Sequence, residues 1–325
     1  MKISPTRFCI FLLIWTTRAF AQTTAHDREL AARFAPVFYQ GIGDNQRSDY
    51  ITNFDFDGDW RGDNNWDHVA NKRYPLKAYV YYSVAETRTH YFIHYAIFHG
   101  RDYKGGTTKG KILSELLRDT VKVGGESDPT GMAIVATVAH ENDMEGCLVV
   151  VEKAGNDLAR ANVVFVTTVA HNKFLKYTAG SDKPEAMIGI MDQRPLLYVE
   201  PKGHGVLNYL NGDMSIDNDS GGSTVAPDKQ GGSKTKSQKT KEKEAKEAKN
   251  GIVIYHFAGR AEQPDKAKGD SCAYDLVPIE TTLWQHAQTK ANETYGVVFD
   301  YPPITISVAS RAPPIRITPG WIRPT

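Results

Sequence analysis

The sequence is poor in the features that identify the commonest enzyme classes. It has only 3 cysteines in 325 residues, and it contains no G-x-S-x-G nucleophile turn, no Walker phosphate loop and no H-E-x-x-H zinc motif. No apolar run approaches the length of about 20 residues that a transmembrane helix needs. These absences argue against a serine hydrolase of the common type, a nucleotide-binding enzyme and an integral membrane protein.

The first residues have the pattern of a secretory signal peptide. Lys2 and Arg7 precede a short apolar run, and an A-x-A cleavage sequence follows at residues 19–21. We therefore expect residues 1–21 to be a signal peptide and the mature protein to be secreted, into the periplasm or the extracellular space. Cleavage would leave Cys147 and Cys272, and an oxidising compartment favours one disulfide between them. The alternative is that Cys147 is a free thiol.

Charge is distributed unevenly along the chain, although the formal net charge is only +1. Residues 220–251 form a low-complexity segment that is rich in Gly, Ser, Thr and Lys and has no aromatic side chain. Without this segment and residues 1–21, Asp and Glu outnumber Lys and Arg. An acidic body suits a divalent cation and argues against a nucleic-acid partner. We predict a single domain over residues 22–325, interrupted by a disordered insertion at residues 220–251.

Aromatic and β-branched segments dominate the remaining sequence. The clearest are residues 78–84 and 89–98, which are separated by a turn at residues 86–88. Helical patterns are short, as at residues 26–35 and 278–291. Further strands are expected at residues 133–139, 146–153, 163–170, 195–200 and 252–257. This order predicts a mainly β fold, an antiparallel β-sandwich with a few peripheral helices.

The segment H-E-N-D-M-E-G at residues 140–146 has the strongest pattern of metal ligands. Side chains alternate along a strand, so Asp143 and Glu145 point to the same face. Two carboxylates on one face repel each other, and burying them is costly unless a cation or a proton intervenes. His140 reaches that face only if the chain turns just before the strand.

Other candidate ligands follow predicted strands. Asp102 comes after the aromatic strand, and His171 and His204 come after two later strands. If these strand ends meet at one rim, their imidazole and carboxylate groups form a cation site. The alternatives are a turn cap for Asp102 and solvated loop positions for the histidines. An Asp-rich stretch at residues 55–67 is either a turn-rich loop with local backbone bonds or a second calcium site.

The segment at residues 140–146 is similar to the H-E-G-D-W-E segment of a eukaryotic vacuolar-sorting family and its bacterial relatives. It resembles, more distantly, the G-H-R-H-D-W-E heptapeptide of the necrosis- and ethylene-inducing peptide-like proteins. The expected nearest kin are secreted bacterial β-sandwich proteins that carry H-E-N-D-M-E-G. Over residues 30–209 the resemblance implies a β-sandwich whose divalent cation is held by four side chains: Asp102, His140, Asp143 and Glu145. Met144 and Asn142 depart from the pattern of both families.

Three functions fit these observations, and the sequence leaves open whether the protein is an enzyme. A metal-dependent hydrolase would use Mg²⁺ or Ca²⁺, with Zn²⁺ as an alternative, to cleave a phosphodiester or an ester. His171 and His204 would then be its catalytic acid and base. A non-enzymatic binding protein or cytolysin-like effector would use the metal rim to hold a small molecule, a glycan or a lipid headgroup. A purely structural cation would only stabilise the loops.

Overall fold

The structure is a computed structural model, and it describes residues 25–103, 140–155, 157–170, 173–210, 213–214, 250–267 and 269–286. The α-helices among these residues are α1 at residues 25–33 and α2 at Asn65–His68. The other named helical elements are four 3-10 helices and one π-helix: Gln46–Asp49, Leu158–Arg160, Pro184–Ala186, Pro264–Lys266 and Glu280–Trp284. Every described helix is too short and too polar to cross a bilayer.

Twelve strands make up the described sheet. They are β1 (Val37–Gly41), β2 (Tyr79–Glu86), β3 (His90–Asp102), β4 (His140–Glu152), β5 (Asn162–Ala170), β6 (Lys173–Thr178), β7 (Gly189–Met191), β8 (Arg194–Val199), β9 (Val206–Leu210), β10 (Asp213–Met214), β11 (Ile252–Phe257) and β12 (Ser271–Pro278). Their order is β10-β9-β8-β1-β11-β12-β2-β3-β4-β5-β6, and β7 pairs with β8. One path therefore links eleven of these strands, and β7 lies off it beside β8.

The sheet curls around its main core. Strand β9 contacts β4 and β5, although these strands lie toward opposite ends of the path. The core accordingly collects buried side chains from both ends, such as Phe38 of β1, Val149 of β4 and Val206 of β9. Helix α1 packs on this core through Leu30 and Ala31, and the hydroxyl of Tyr95 donates a hydrogen bond of 2.8 Å to the carbonyl of Ala31.

A smaller core lies on the other face of β2 and β3. It packs Phe98 of β3 and Tyr81 of β2 against Phe54 and Val69 of the segment between β1 and β2. The hydroxyl of Tyr81 also accepts a hydrogen bond from the backbone N–H of Phe54, at 2.9 Å. This second core holds the Asp-rich loop beside the sheet.

The predicted mainly β fold with few helices is confirmed, but the antiparallel prediction is only partly correct. The pairs β1–β8, β11–β12 and β12–β2 are parallel, and the other pairs of the sheet are antiparallel. The pairs β1–β8 and β12–β2 join strands that are remote in sequence, and alternation within a strand does not reveal the direction of its partner. Eleven of the twelve described strands lie on one path, and the arrangement as two packed sheets is not confirmed.

Several sequence boundaries need correction. The strand predicted at residues 146–153 begins at His140, so the H-E-N-D-M-E-G segment lies within β4 and not before it. Six strands, β1, β6, β7, β9, β10 and β12, have no counterpart in the prediction. The predicted signal peptide, the strand at residues 133–139 and the insertion, except for residues 250–251, lie outside the described residues.

The disulfide favoured by the sequence is not formed. Cys147 and Cys272 are both free and buried. They lie in β4 and β12, which β2 and β3 separate in the sheet. Three inter-strand spacings amount to roughly 14 Å along the sheet, which is about twice the Cα separation that a disulfide tolerates.

Candidate functional site

The register of β3 with β4 places the two motif carboxylates on the inner face of the sheet. Asp143 lies opposite His99, and Glu145 lies opposite Ile97. Ile97 belongs to the main core, so the side chains with its parity point inward. Asp143 and Glu145 therefore share one face at the end of the core.

Asn142 distorts β4 beside these carboxylates. Its φ of 60° is left-handed, a conformation that asparagine tolerates better than most residues. Its side-chain amide donates to the carbonyl of Gly62 at 2.8 Å, and its Oδ1 accepts from Nδ2 of Asn65 at 2.7 Å. The local turn that His140 needs thus occurs inside the strand, and the Asp-rich loop stabilises it.

His204 connects two aspartates across the curled sheet. The residue lies in the turn between β8 and β9 and is 0% exposed. Its Nδ1 is 2.7 Å from Oδ2 of Asp143, and its Nε2 is 3.3 Å from Oδ1 of Asp49. Burial disfavours the charged ring, but the hydrogen bonds to Asp143 and Asp49 outweigh burial and raise the pKa of His204 to about 10. The ring therefore donates from both nitrogens and carries a positive charge.

Asp49 is itself held by backbone groups. Its Oδ2 accepts from the N–H of Gly43, and its Oδ1 accepts from the N–H of Lys202, both at 2.7 Å. The side chain is buried, so these bonds replace the water that an exposed carboxylate would have. Asp49 thus links the segment after β1 to the turn before β9.

His99 packs against His204 from β3. The two rings are stacked, and Nε2 of His99 lies 3.1 Å from Oε1 of Gln40. Burial lowers the pKa of His99 well below its ordinary value, and the positive charge of His204 lowers it further. His99 is therefore neutral.

Glu145 is the centre of a group of acidic side chains. Burial raises the pKa of Glu145 to about 9, and the carboxylates of Asp143, Glu200 and Asp102 raise it in that order of importance. Its Oε2 is buried and has no hydrogen-bond partner among the described residues. Glu200 lies over Gly205, where a Cβ atom would come within 2.4 Å of the carboxylate Oε2. We call these four carboxylates and His140 the acidic rim.

Asp143 remains ionised in the same surroundings. Burial would raise its pKa, but the hydrogen bond and charge of His204, followed by electrostatic interactions with the imidazoles of His140 and His99, lower it to about 2. Asp143 and Glu145 therefore differ in protonation, although they lie two residues apart on one face of β4. The difference arises because only Asp143 is bonded to the imidazole of His204.

The structure brings together most of the residues that the sequence singled out. Asp102 pairs with His140 in the register of β3 and β4, and both act electrostatically on the motif carboxylates. His204 joins them through Asp143, whereas His171 lies outside the described residues. The sequence reasoning missed Asp49, His99 and Glu200. His99 and Glu200 had a signal, because each stands at the end of a predicted strand as the other candidates do, whereas Asp49 had none.

The acidic rim has the donor set of a cation site but not yet its geometry. Within the described ranges, no three His, Cys, Asp or Glu side chains are arranged to hold a metal ion as they stand. Carboxylate oxygens are nevertheless the donors that Mg²⁺ and Ca²⁺ prefer. The buried, unpartnered Oε2 of Glu145 is a donor of this kind. The residues fit a divalent cation provided that side chains rotate toward it.

The Asp-rich stretch at residues 55–67 has a different character. Asp57 accepts from the N–H of Asp59 at 3.2 Å, and Asp59 accepts from the N–H of Arg61 at 2.7 Å. Asp57 is also 2.5 Å from Nδ1 of His68. These bonds are those of a turn-rich loop, and they occupy carboxylates that a second calcium site would need.

Comparison with known proteins gave only slight similarities. No family model and no curated protein matches the chain. Among solved structures, the non-toxic HaNLP3 protein is 14% identical and matches over 57% of this chain and 69% of that chain, with a TM-score of 0.30. NLPPya in complex with glucosamine is 14% identical over 56% and 67%, with a TM-score of 0.31. Necrosis and Ethylene inducing Protein 2, from the causal agent of cocoa's Witches Broom disease, is 15% identical over 57% and 70%, with a TM-score of 0.29. Likenesses at this level establish neither fold nor function.

Proposed function

We propose that this chain is a secreted, non-enzymatic protein that binds a divalent cation at the acidic rim. The cation would in turn hold an oxygen-rich ligand, such as a sugar or a lipid headgroup. The observation that carries the proposal is the environment of Glu145. Its Oε2 is buried and has no hydrogen-bond partner in the described part of the chain, and three other carboxylates act on it electrostatically.

The energetic argument starts from the repulsion between these carboxylates. Several ionised groups cannot share a desolvated site unless a proton or a cation compensates their charge. In the cation-free protein a proton on Glu145 provides the compensation, consistent with a pKa of about 9. A divalent cation would replace that proton and attract all four carboxylates together. The hard oxygen atoms of the carboxylates favour Mg²⁺ or Ca²⁺. Zn²⁺ is the alternative, because it also binds imidazole nitrogen such as that of His140.

His140 has the hydrogen bond of a metal-binding histidine. Its Nδ1 lies 3.1 Å from the carbonyl oxygen of Glu141 and donates to it. This bond leaves the lone pair on Nε2, which is the atom that would bind the cation. The residue is only half-buried, so this side of the rim can admit a ligand from solution.

The environments of His204 and His99 favour binding over hydrolysis. His204 is fully buried and both its nitrogens are bonded to carboxylates, while His99 is fully buried behind it. Neither ring can exchange a proton with a substrate at the rim, as a general acid or base must. A sugar or headgroup would instead contribute hydroxyl or phosphate oxygens to the open positions of the cation.

Calorimetric titration with Ca²⁺, Mg²⁺ and Zn²⁺ tests the proposal. Glu145→Gln keeps the shape of the side chain and removes its charge, so we expect cation affinity to fall at least tenfold. Glu152→Gln changes an exposed residue at the other end of the same strand and should leave the affinity unchanged. An array of glycans and lipid headgroups, probed with and without chelator, then identifies the ligand class.

Three results would count against the proposal. Wild-type protein that binds none of the three cations would remove the cation site. Cation-dependent turnover of chromogenic phosphodiesters or esters, abolished by Glu145→Gln, would instead establish the hydrolase. If a cation only raises the melting temperature and no ligand is retained on the array, the ion has a purely structural role.

A further inference from the structure

We infer that Asp49 is a positioning residue that acts on Asp143 through His204 and thereby sets the affinity of the acidic rim for its cation. The inference rests on the proposed function, because it assumes that the rim binds a cation. It adds two residues that lie behind the rim and would not touch the cation. The three residues form an aspartate–histidine–aspartate chain that ends at the rim.

The inner end of this chain is fixed to the backbone. Both carboxylate oxygens of Asp49 accept backbone hydrogen bonds of 2.7 Å, from Gly43 on one side and from Lys202 on the other. Asp49 is only 1% exposed, so turning its carboxylate would leave buried N–H groups without acceptors. Asp49 therefore presents its Oδ1 to His204 in one orientation.

The middle of the chain has equally little freedom. His204 is enclosed, and its Nε2 is bonded to Asp49. The stacked ring of His99 covers one face of the imidazole, and Gln40 holds His99 in place. The orientation of His204 is thus determined from two directions, by a hydrogen bond in the plane of the ring and by a flat contact on its face.

The outer end of the chain is the motif carboxylate. His204 donates to Oδ2 of Asp143 at 2.7 Å, which leaves Oδ1 as the oxygen available to a cation. Carboxylates that bind metals depend on such outer hydrogen bonds, and removing the outer partner typically weakens metal affinity by about 10–100-fold. Because Asp49, His204 and Asp143 belong to three segments that are remote in sequence, these hydrogen bonds also tie the rim to the global fold.

Asp49→Asn is the direct test, because it keeps the size of the side chain but removes its charge. An amide also cannot accept from both backbone N–H groups with both of its polar atoms. By calorimetry we expect the Kd for Ca²⁺ or Mg²⁺, whichever the wild type binds more tightly, to rise about tenfold or more. His204→Gln should have an effect of similar size. The double variant should lose little cation affinity beyond either single variant, because each substitution alone already interrupts the hydrogen bonds from Asp49 through His204 to Asp143.

Ser48→Ala is the matched control. Ser48 is the buried neighbour of Asp49, but its hydroxyl accepts a hydrogen bond from Nε of Arg101 at 2.8 Å and does not belong to the chain. The substitution should lower stability and leave cation affinity unchanged. For a variant that folds weakly, the rise in melting temperature on adding cation gives a second measure of affinity.

The outcomes separate the two hypotheses. A wild type that binds no cation overturns the proposed function, and this inference with it. A wild type that binds while Asp49→Asn binds equally well overturns the inference alone. Losses that simply add in the double variant, or an equal loss in Ser48→Ala, would show that Asp49 does not act through His204.

Discussion

The imidazole of His204 lies flat against that of His99, with 3.7 Å between the ring centroids and 4° between the ring planes. The ring of His204 is bonded to two carboxylates, whereas the ring of His99 is bonded to the amide oxygen of Gln40. The first ring is therefore charged and the second neutral, so two imidazoles stack in a buried site without repulsion between like charges.

His99→Leu tests the energetic value of the Gln40 contact. The substitution leaves the buried Oε1 of Gln40 without its donor, which should lower the free energy of unfolding by about 1–3 kcal/mol. Urea unfolding measures the loss. The double variant with Gln40→Leu should lose less than the sum of the two single variants, because no orphaned Oε1 remains. Strictly additive losses would contradict the hydrogen bond.

His94 predicts a pH dependence of stability that is unrelated to the acidic rim. The residue is buried in β3, its ring nitrogens have no hydrogen-bond partner among the described residues, and burial lowers its pKa from 6.5 to about 4. Between these pH values the unfolded chain binds a proton that the folded chain does not. Stability is therefore highest above pH 6.5 and falls as the pH is lowered toward 4.

The variant His94→Leu should remove this contribution. It amounts to at most about 3.5 kcal/mol, at about 1.4 kcal/mol for each pH unit between the two pKa values. Denaturant unfolding of wild type and variant over the same pH series isolates it, because other groups titrate alike in both proteins. If the difference in free energy between the two proteins is constant with pH, the depressed pKa is wrong.

Two substitutions of Asn142 distinguish the need for a left-handed backbone at this position from the need for the side-chain hydrogen bonds. Asn142→Gly keeps the left-handed backbone and loses the bonds to Gly62 and Asn65. Asn142→Ala loses the same bonds and adds the strain of a left-handed Cβ, about 1 kcal/mol. We expect both variants to be less stable than wild type in thermal unfolding, with Ala below Gly. An alanine variant as stable as the glycine variant would show that residue 142 is not left-handed.

Thiol chemistry tests the unpaired cysteines. Burial raises the pKa of Cys147 and raises that of Cys272 to about 12, so both thiols are protonated and enclosed in the folded protein. Iodoacetamide should label neither residue under native conditions and both after unfolding without reductant. Peptide mass spectrometry measures the labelling. If neither cysteine is labelled in the unfolded, unreduced protein, the two cysteines form a disulfide.

The features that could be predicted from the sequence are those with a short period. Asp143 and Glu145 share a face because successive side chains of any strand alternate. In the register with β3, their partners His99 and Ile97 show the same spacing of two residues. The aromatic hairpin of β2 and β3 was recognisable for the same reason. The direction of β12 could not be predicted, because its parallel pairing with β11 and β2 is set by chain topology and not by local composition.

The chemistry of the site depends on the tertiary structure. Asp49, Asp143 and His204 have no local relationship, since 155 residues separate Asp49 from His204 and 61 separate His204 from Asp143. Read singly, His204 is a loop histidine and Asp49 is a turn residue. Their roles arise only when the sheet curls and encloses all three side chains away from water.

The sequence alone determined the motif residues His140, Asp143 and Glu145 and the face on which the two carboxylates lie, because both are written in neighbouring residues. Only the tertiary structure decided which carboxylate is ionised, which histidine is charged and which residues hold the motif in place. Those properties depend on burial and on hydrogen bonds between remote segments, and neither exists until the chain has folded.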